Sequence, residues 1–378
     1  MAGVSAERRR LTVGTCDAPG ARGGNRALLS HQLEDIALFA TLQEGKKGIL
    51  LASKTDRDLN RRRSFSEKDT ESVVPEGQNA SENEKWLTSA YGIGYACRKG
   101  LKPESPNQDS FFVLAVEDQF VLFCVLDGHG PYGHDISNIA RTCLLKNFLK
   151  LDFRKDPEKS FKNCFVKTQE DIESQKESDA SSSGSTCSMA LFDFETDKLT
   201  VAHVGDSRAV LGKKIREGEY DPDAALTEDH KPNLPAEKRR IENSNPPGRV
   251  EFDGYYNYRV FAKHGSYPGL NMSRAFGDVV AHKEAGLTAV PDTKTIDLKP
   301  LRERFPVLIL LVCTDGVWEF IENNEALQIL IDANKEEEGS RPKEQNAAAK
   351  LAKVSWDRWM ADSDNEISDD ITIVWTAL

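Results

Sequence analysis

Four segments of this 378-residue chain place aspartate at the end or the start of a strand-like run. The runs VLFCVL (121–126) and LILLVCT (308–314) lead into Asp127-Gly128 and Asp315-Gly316. Asp206 stands at the tip between LTVAHVG and SRAVL, and Asp369-Asp370 precede ITIVWTA. One Asp-Gly pair is ordinarily a turn; four strand-end aspartates in one domain point further. In an antiparallel sheet the C-terminal end of one strand lies beside the N-terminal end of its neighbour, so Asp127, Asp315 and Asp369-Asp370 can reach one edge. Carboxylates gathered there repel and resist desolvation, and must protonate or take a counter-charge. The donor set is oxygen only, with no nearby Cys and one adjacent His, which suits Mg2+ or Mn2+ better than zinc or copper. Glycine at 128 leaves the backbone free to turn its carbonyl toward a metal.

Two cations so held can acidify a bridging water and hold a phosphoryl oxygen, the requirements for in-line hydrolysis of a phosphate ester. His129, two residues beyond Asp127, is placed to protonate the departing alkoxide.

Strand-like runs rich in β-branched and aromatic residues must position these groups: TSAYGIGYAC, DSFFVLAV, QFVLFCVLD, CSMALFDF, KLTVAHVG, SRAVLGKK, PVLILLVCTD and ITIVWTA. Helical patterns occur at GHDISNIARTCLLKNFLKL, PEKSFKNCFVKTQEDIESQKE, PAEKRRIENS, NNEALQILIDAN and EQNAAAKLAKVSWDRWMA. Strands in hairpin runs with helices between them predict an α+β domain of mainly antiparallel sheet with helices on the outer faces. Long irregular stretches at 228–268 and 335–346 have the length of functional loops.

Residues 1–85 differ in texture, with Gly- and Arg-rich patches and a polar tail, and are expected to be a largely flexible extension. Helical spacing within it predicts a short helix at 30–43. The catalytic domain is expected to occupy 86–378. A net charge of −11 and a pI near 5.3 repel a phosphate backbone, which excludes nucleic acid as the expected partner. No apolar run approaches the ~18 residues of a membrane span, and the N-terminus lacks an apolar signal core. The seven cysteines include no CxxC pair and read as reduced thiols. A monomer in the cytoplasm or nucleus is the expectation.

Taken together, NQDSFF (107–112), DGHGPYGH (127–134), SGSTCSMALF (183–192), HVGDSRAVL (203–211), LTEDHKPNLPAEKRRI (226–241), SRAFGD (273–278), CTDGVWEF (313–320) and SDDITIV (368–374) resemble, in order, the motifs of metal-dependent protein phosphatases of the type-2C (PPM) family. The resemblance runs from about residue 88 to the end. It implies a four-layer α-β-β-α sandwich with two Mg2+ or Mn2+ ions and a weaker third, hydrolysing phosphoserine and phosphothreonine in phosphoprotein substrates through a metal-bridging water. Carried over by position, Asp127 would bridge both metals and the Gly128 carbonyl would ligate one. Asp315 and Asp369 would complete the first site, and Asp206 with Asp315 would serve the third. His129 would be the general acid, and 241–268 the flap beside the site.

Three positions depart from the commoner pattern. Gln108-Asp109 stands where many members have Glu-Asp, leaving Asp109 as the one acid of the pair in the metal set. The cation that grips substrate phosphate is Lys102 or, alternatively, Arg98, the spacing being stretched by PESP. Glu319 replaces the commoner Asp. The rival readings are a pseudophosphatase scaffold that binds phosphoproteins without turnover, and a metal-dependent nuclease, which the acidic balance opposes.

Overall fold

The computed structural model describes residues 46–55, 64–102, 105–175, 179–216, 219–221, 224–335 and 342–378. Two antiparallel sheets pack face to face. One has seven strands: β1 (Gly48–Ser53), β2 (Thr70–Val73), β4 (Ser110–Val116), β5 (Phe120–Leu126), β6 (Cys187–Asp193), β7 (Lys198–Val204) and β10 (Asp292–Asp297), in the order β10-β7-β6-β5-β4-β1-β2. The other has five: β3 (Gly94–Arg98), β8 (Arg208–Arg216), β9 (Glu219–Tyr220), β11 (Leu308–Cys313) and β12 (Ile371–Ala377), in the order β9-β8-β11-β12-β3. The longer helices are α1 (Ala80–Tyr91), α2 (Gly133–Phe148), α3 (Pro157–Ser174), α4 (Pro235–Glu242), α5 (Asn323–Asn334) and α6 (Lys343–Asp362).

The central strands are buried on both faces, so they read as continuous apolar runs, yet the period of two still sorts their side chains. Phe111, Val113 and Ala115 of β4 meet Leu310 and Val312 of β11 between the sheets. Phe112, Leu114 and Val116 face outward, toward Ile136, Ala140, Leu144 and Phe148 of α2 and Phe161 and Phe165 of α3. On the opposite side Ile309, Leu311, Ile373 and Trp375 pack on Leu327 and Leu330 of α5 and Ala348 and Leu351 of α6. The expected α-β-β-α order of layers is therefore the observed one.

Asp156 caps α3 by accepting from the Lys159 N–H, and Pro157 occupies the first turn, where its missing N–H costs nothing. The segment 248–270 forms a separate three-stranded sheet, Gly248–Phe252, Tyr258–Ala262 and Pro268–Leu270, joined to the body through α4 and a small core of Ile241, Val250, Val260 and Leu287.

Three readings of the sequence need correction. The stretch 228–268, expected to be irregular, carries α4 and most of the three-stranded sheet. Thr88–Tyr91 is helical rather than strand: Asn79 caps α1 through the N–H groups of Ser81 and Glu82, and Gly92 at φ 58° ends it. The largest correction concerns residues 1–85. Residues 48–53 are wholly buried as β1, paired with β4 from Gly48 opposite Val116 to Ala52 opposite Phe112. β2 closes that edge, and Arg141 of α2 reaches the Ser53 carbonyl and lies 3.6 Å from Glu71. GILLAS is a six-residue apolar run among charged and Gly-rich neighbours, too short for periodicity to distinguish. The helix expected at 30–43 lies outside the described residues. If β1 is core, Leu51→Ala should lower the unfolding free energy in urea by about 2–5 kcal/mol. A change under about 0.5 kcal/mol, as for surface positions, would return these residues to the status of an appendage.

Candidate active site

Strand register assembles the carboxylates. Ser110 lies opposite Leu126, so Asp109 and Asp127 emerge side by side at one end of the seven-stranded sheet. Cys313 lies opposite Ile373 on one side and Arg208 on the other, which brings Asp315, Asp369-Asp370 and Asp206 to one end of the five-stranded sheet. The two ends meet: the Asp127 and Asp315 carboxyls bear on each other, and Asp109 and Asp369 both bear on Asp127.

Burial, and then the charges of their neighbours, push the Asp127 and Asp315 carboxyls well above the ordinary carboxylate range. Asp109 rises to about 7, through burial first and Asp370 second. The protein's own cations offset part of this charge. Lys102 is ion-paired with Asp369 and Lys231 with Asp206. Burial opposes both ammonium charges, yet the aspartates around them hold each lysine above its ordinary value. Lys68, buried beneath the cluster, donates to the backbone carbonyls of Asn107, at 3.2 Å, and Asp109.

The adjacent aspartates at 369 and 370 have different tasks. Asp370 accepts from the Gly100 N–H at 2.7 Å with one oxygen and from the Gln108 N–H at 2.9 Å with the other, so it ties two loops together. Asp369 faces Lys102 and the cluster. Asp109 accepts from the Thr314 hydroxyl at 2.9 Å, linking the two sheets.

Three oxygens in this group, Asp109 Oδ1, Asp206 Oδ1 and Asp315 Oδ1, are buried without a hydrogen-bond partner. Buried acceptors of that kind are normally satisfied, and acceptor-only oxygens left over in a cluster of carboxylates are the donor set a hard divalent cation takes. As the side chains stand, no three His, Cys, Asp or Glu residues among those described close into a metal cage. Lysines sit on Asp369 and Asp206, and the Asp127 and Asp315 carboxyls bear on each other. The residues present fit Mg2+ or Mn2+ by chemistry and by their unpaired oxygens.

Gly128 sits where a Cβ would collide with the Gly133 carbonyl and approach the Gln108 carbonyl to 2.6 Å, so the strand end must be glycine for the chains to come this close. Gln108 does not point its amide into the carboxylates; it donates to the Gly130 carbonyl at 2.7 Å. Of the two candidate phosphate cations, the structure brings Lys102 into the cluster. It places Arg98 elsewhere, its guanidinium over the Phe65 ring and 3.5 Å from Glu67.

His129 borders the cluster, and its Nε2 lies 2.6 Å from Asp278 Oδ2. Burial lowers the imidazolium's stability, but the Asp278 charge and hydrogen bond prevail and raise His129 above its ordinary value. From the 248–270 segment the Tyr267 hydroxyl donates to the Ser181 carbonyl.

Reading the sequence missed four participants: Asp278, Lys231, Lys68 and the distinct role of Asp370. Asp278 and Lys231 lie inside quoted motifs, SRAFGD and EDHK, but no local pattern announces which charge each one meets.

Residues 101–364 match the family model described as protein phosphatase 2C. The chain is 34% identical over 274 residues to a protein of Arabidopsis thaliana named probable protein phosphatase 2C 34, covering 67% of this chain and 71% of that one. It is 32% identical over 280 residues to probable protein phosphatase 2C 73 of the same organism, with coverage of 67% and 70%. Among solved structures, the serine-threonine phosphatase 2C of Toxoplasma gondii superposes with a TM-score of 0.61 at 19% identity, over 75% of this chain and 94% of that one, a likeness of fold.

Removing the charge of Asp315 while keeping its shape should relieve repulsion. Asp315→Asn is expected to raise the melting temperature in EDTA and to abolish the upward shift that Mn2+ gives the unaltered protein. A lower melting temperature in EDTA would mean that the carboxylate is held by donors instead of crowded by like charges.

Proposed function

The chain belongs to the protein phosphatase 2C family, and from that membership we propose that it is a Mg2+- or Mn2+-dependent phosphatase of phosphoserine and phosphothreonine in proteins. The observation that carries the reading is the cluster of carboxylates with three buried, unpaired oxygens, bordered by one histidine and by Lys102 and Lys231. When bound, two divalent cations would supply the positive charge that offsets the aspartates, attracts a phosphate dianion and acidifies the attacking water.

In this reading Asp127 and the Gly128 carbonyl hold cations from the seven-stranded sheet, and Asp315 and Asp369 from the five-stranded one. Asp206 with Asp315 would hold a weaker third, and Asp109 would join the set through its unpaired Oδ1. Lys102 already lies among these groups, so its ammonium can leave Asp369 for the substrate's phosphate oxygens. His129 delivers a proton to the serine or threonine oxygen as the P–O bond breaks, a transfer worth about 10²–10⁴-fold for an alkoxide leaving group. No described helix is long and apolar enough to cross a membrane. We place the protein as a monomer in the cytoplasm or nucleus, acting on phosphoproteins.

The second reading, a scaffold that binds phosphoproteins without turnover, draws on the lysines seated on Asp369 and Asp206. Phosphate release from a phosphothreonine peptide decides between them. Turnover that requires Mn2+ or Mg2+ and stops in EDTA is expected; absent or metal-independent turnover refutes the enzyme. Lys102→Ala should raise KM for the peptide about tenfold or more, the loss of roughly one charge-assisted contact. The same rise for Arg98→Ala with none for Lys102→Ala would exchange their roles.

A further inference from the structure

A small three-stranded ladder holds the histidine side of the site. His129 pairs with Gly184, and Gly184 pairs on its other side with Gly277, the residue before Asp278. A Cβ at Gly184 would collide with Asp278 Oδ2 and come within 2.6 Å of His129 Nε2, so the bare glycine is the passage through which the carboxylate reaches the ring. Asp278 is 2% exposed and adopts a left-handed conformation, φ 44° and ψ 44°, uncommon outside glycine. Such an outlier persists only where its surroundings impose it. Here the Asp278 N–H donates to the Ser183 carbonyl at 2.9 Å, and the Gln169 side chain clamps Gly277 through its N–H at 2.9 Å and its carbonyl at 3.1 Å.

Asp278 also stands at the N-cap of the short helix Val279–Glu284, but its side chain makes no capping bond there. The carboxylate is directed to His129 instead. His129 Nδ1, in contrast, is buried and has no hydrogen-bond partner.

We infer that Asp278 is a positioning residue: it accepts the Nε2 proton of His129, fixing ring and tautomer so that Nδ1 is the atom that hands its proton to the leaving oxygen. As the attacking water forms its new P–O bond and gives up a proton to solvent, the ester P–O bond breaks with its electron pair on the serine or threonine oxygen, which takes the Nδ1 proton. The histidine left behind is neutral, still donating from Nε2 to Asp278, and regains a proton from water. This inference rests on the acid role of His129 proposed above.

The test compares the unaltered enzyme, His129→Ala, Asp278→Asn and the double variant on a phosphothreonine peptide and on p-nitrophenyl phosphate, whose leaving group needs little protonation. Asn tolerates the left-handed conformation, so the backbone should hold. Asp278→Asn is expected to lower kcat on the peptide by about ten- to a hundred-fold, with KM unchanged and p-nitrophenyl phosphate affected less than about threefold. The double variant should be no slower than His129→Ala. Equal losses on both substrates, or additive losses in the double variant, overturn the inference. If His129→Ala itself spares the peptide, the acid reading fails. If His129→Ala shows the leaving-group difference and Asp278→Asn does not, only the positioning role fails. Independently of any variant, nitrogen NMR of the Mg2+-loaded protein should find neutral His129 protonated on Nε2; a proton on Nδ1 overturns the inference.

Discussion

The structure turns on burying like charges at one place. Asp127, Asp315 and Asp109 stand at the ends of apolar strands around one site, Asp109 fully buried and the other two half-buried, and each resists ionising there. Desolvation and mutual repulsion both raise the free energy of the charged forms. The folded core offsets that cost, because the strands that carry the aspartates are also the strands that fill the sandwich. Charge crowding is thus a consequence of good packing in antiparallel sheets whose ends coincide.

Lysines answer this constraint in two ways. Lys102 and Lys231 pair directly with Asp369 and Asp206 and remain partly exposed themselves, so their contacts can open. Lys68 is fully enclosed and spends its donors on the carbonyls of Asn107 and Asp109, holding the backbone from which Asp109 projects. Because Lys68 lies just before β2, the N-terminal strands belong to the architecture of the site as much as to the sheet. Removing them would take away an edge of the core and a buried counter-charge together.

The histidine side is built on a different principle. Its precision comes from absent side chains: Gly184 and Gly277 let two backbones approach closely enough for Asp278 to reach His129 across the ladder. The carboxylates of the cluster meet cations, whereas the Asp278 carboxylate meets a ring nitrogen. One residue type therefore serves charge collection and proton positioning, and the neighbourhood alone separates the two.

The sequence by itself determined the sheets, the flanking helices and the edge where the aspartates gather. Strand periodicity, helical spacing and Asp-Gly boundaries are local properties, and antiparallel pairing converts them into a shared edge without further information. It also carried Lys102 and Arg98 as alternatives, but spacing does not say which way a side chain turns. Only the tertiary structure gave Asp370 its own task, because the N–H groups of Gly100 and Gln108 arrive from about 260 residues away or more in the chain. The partnership of His129 with Asp278, 149 residues apart, was equally invisible in the sequence. The same holds for GILLAS, whose six residues become a core strand only because β4 offers them an open edge. Local patterns specify elements, while the pairing of distant charges depends on which loops the packed core brings together.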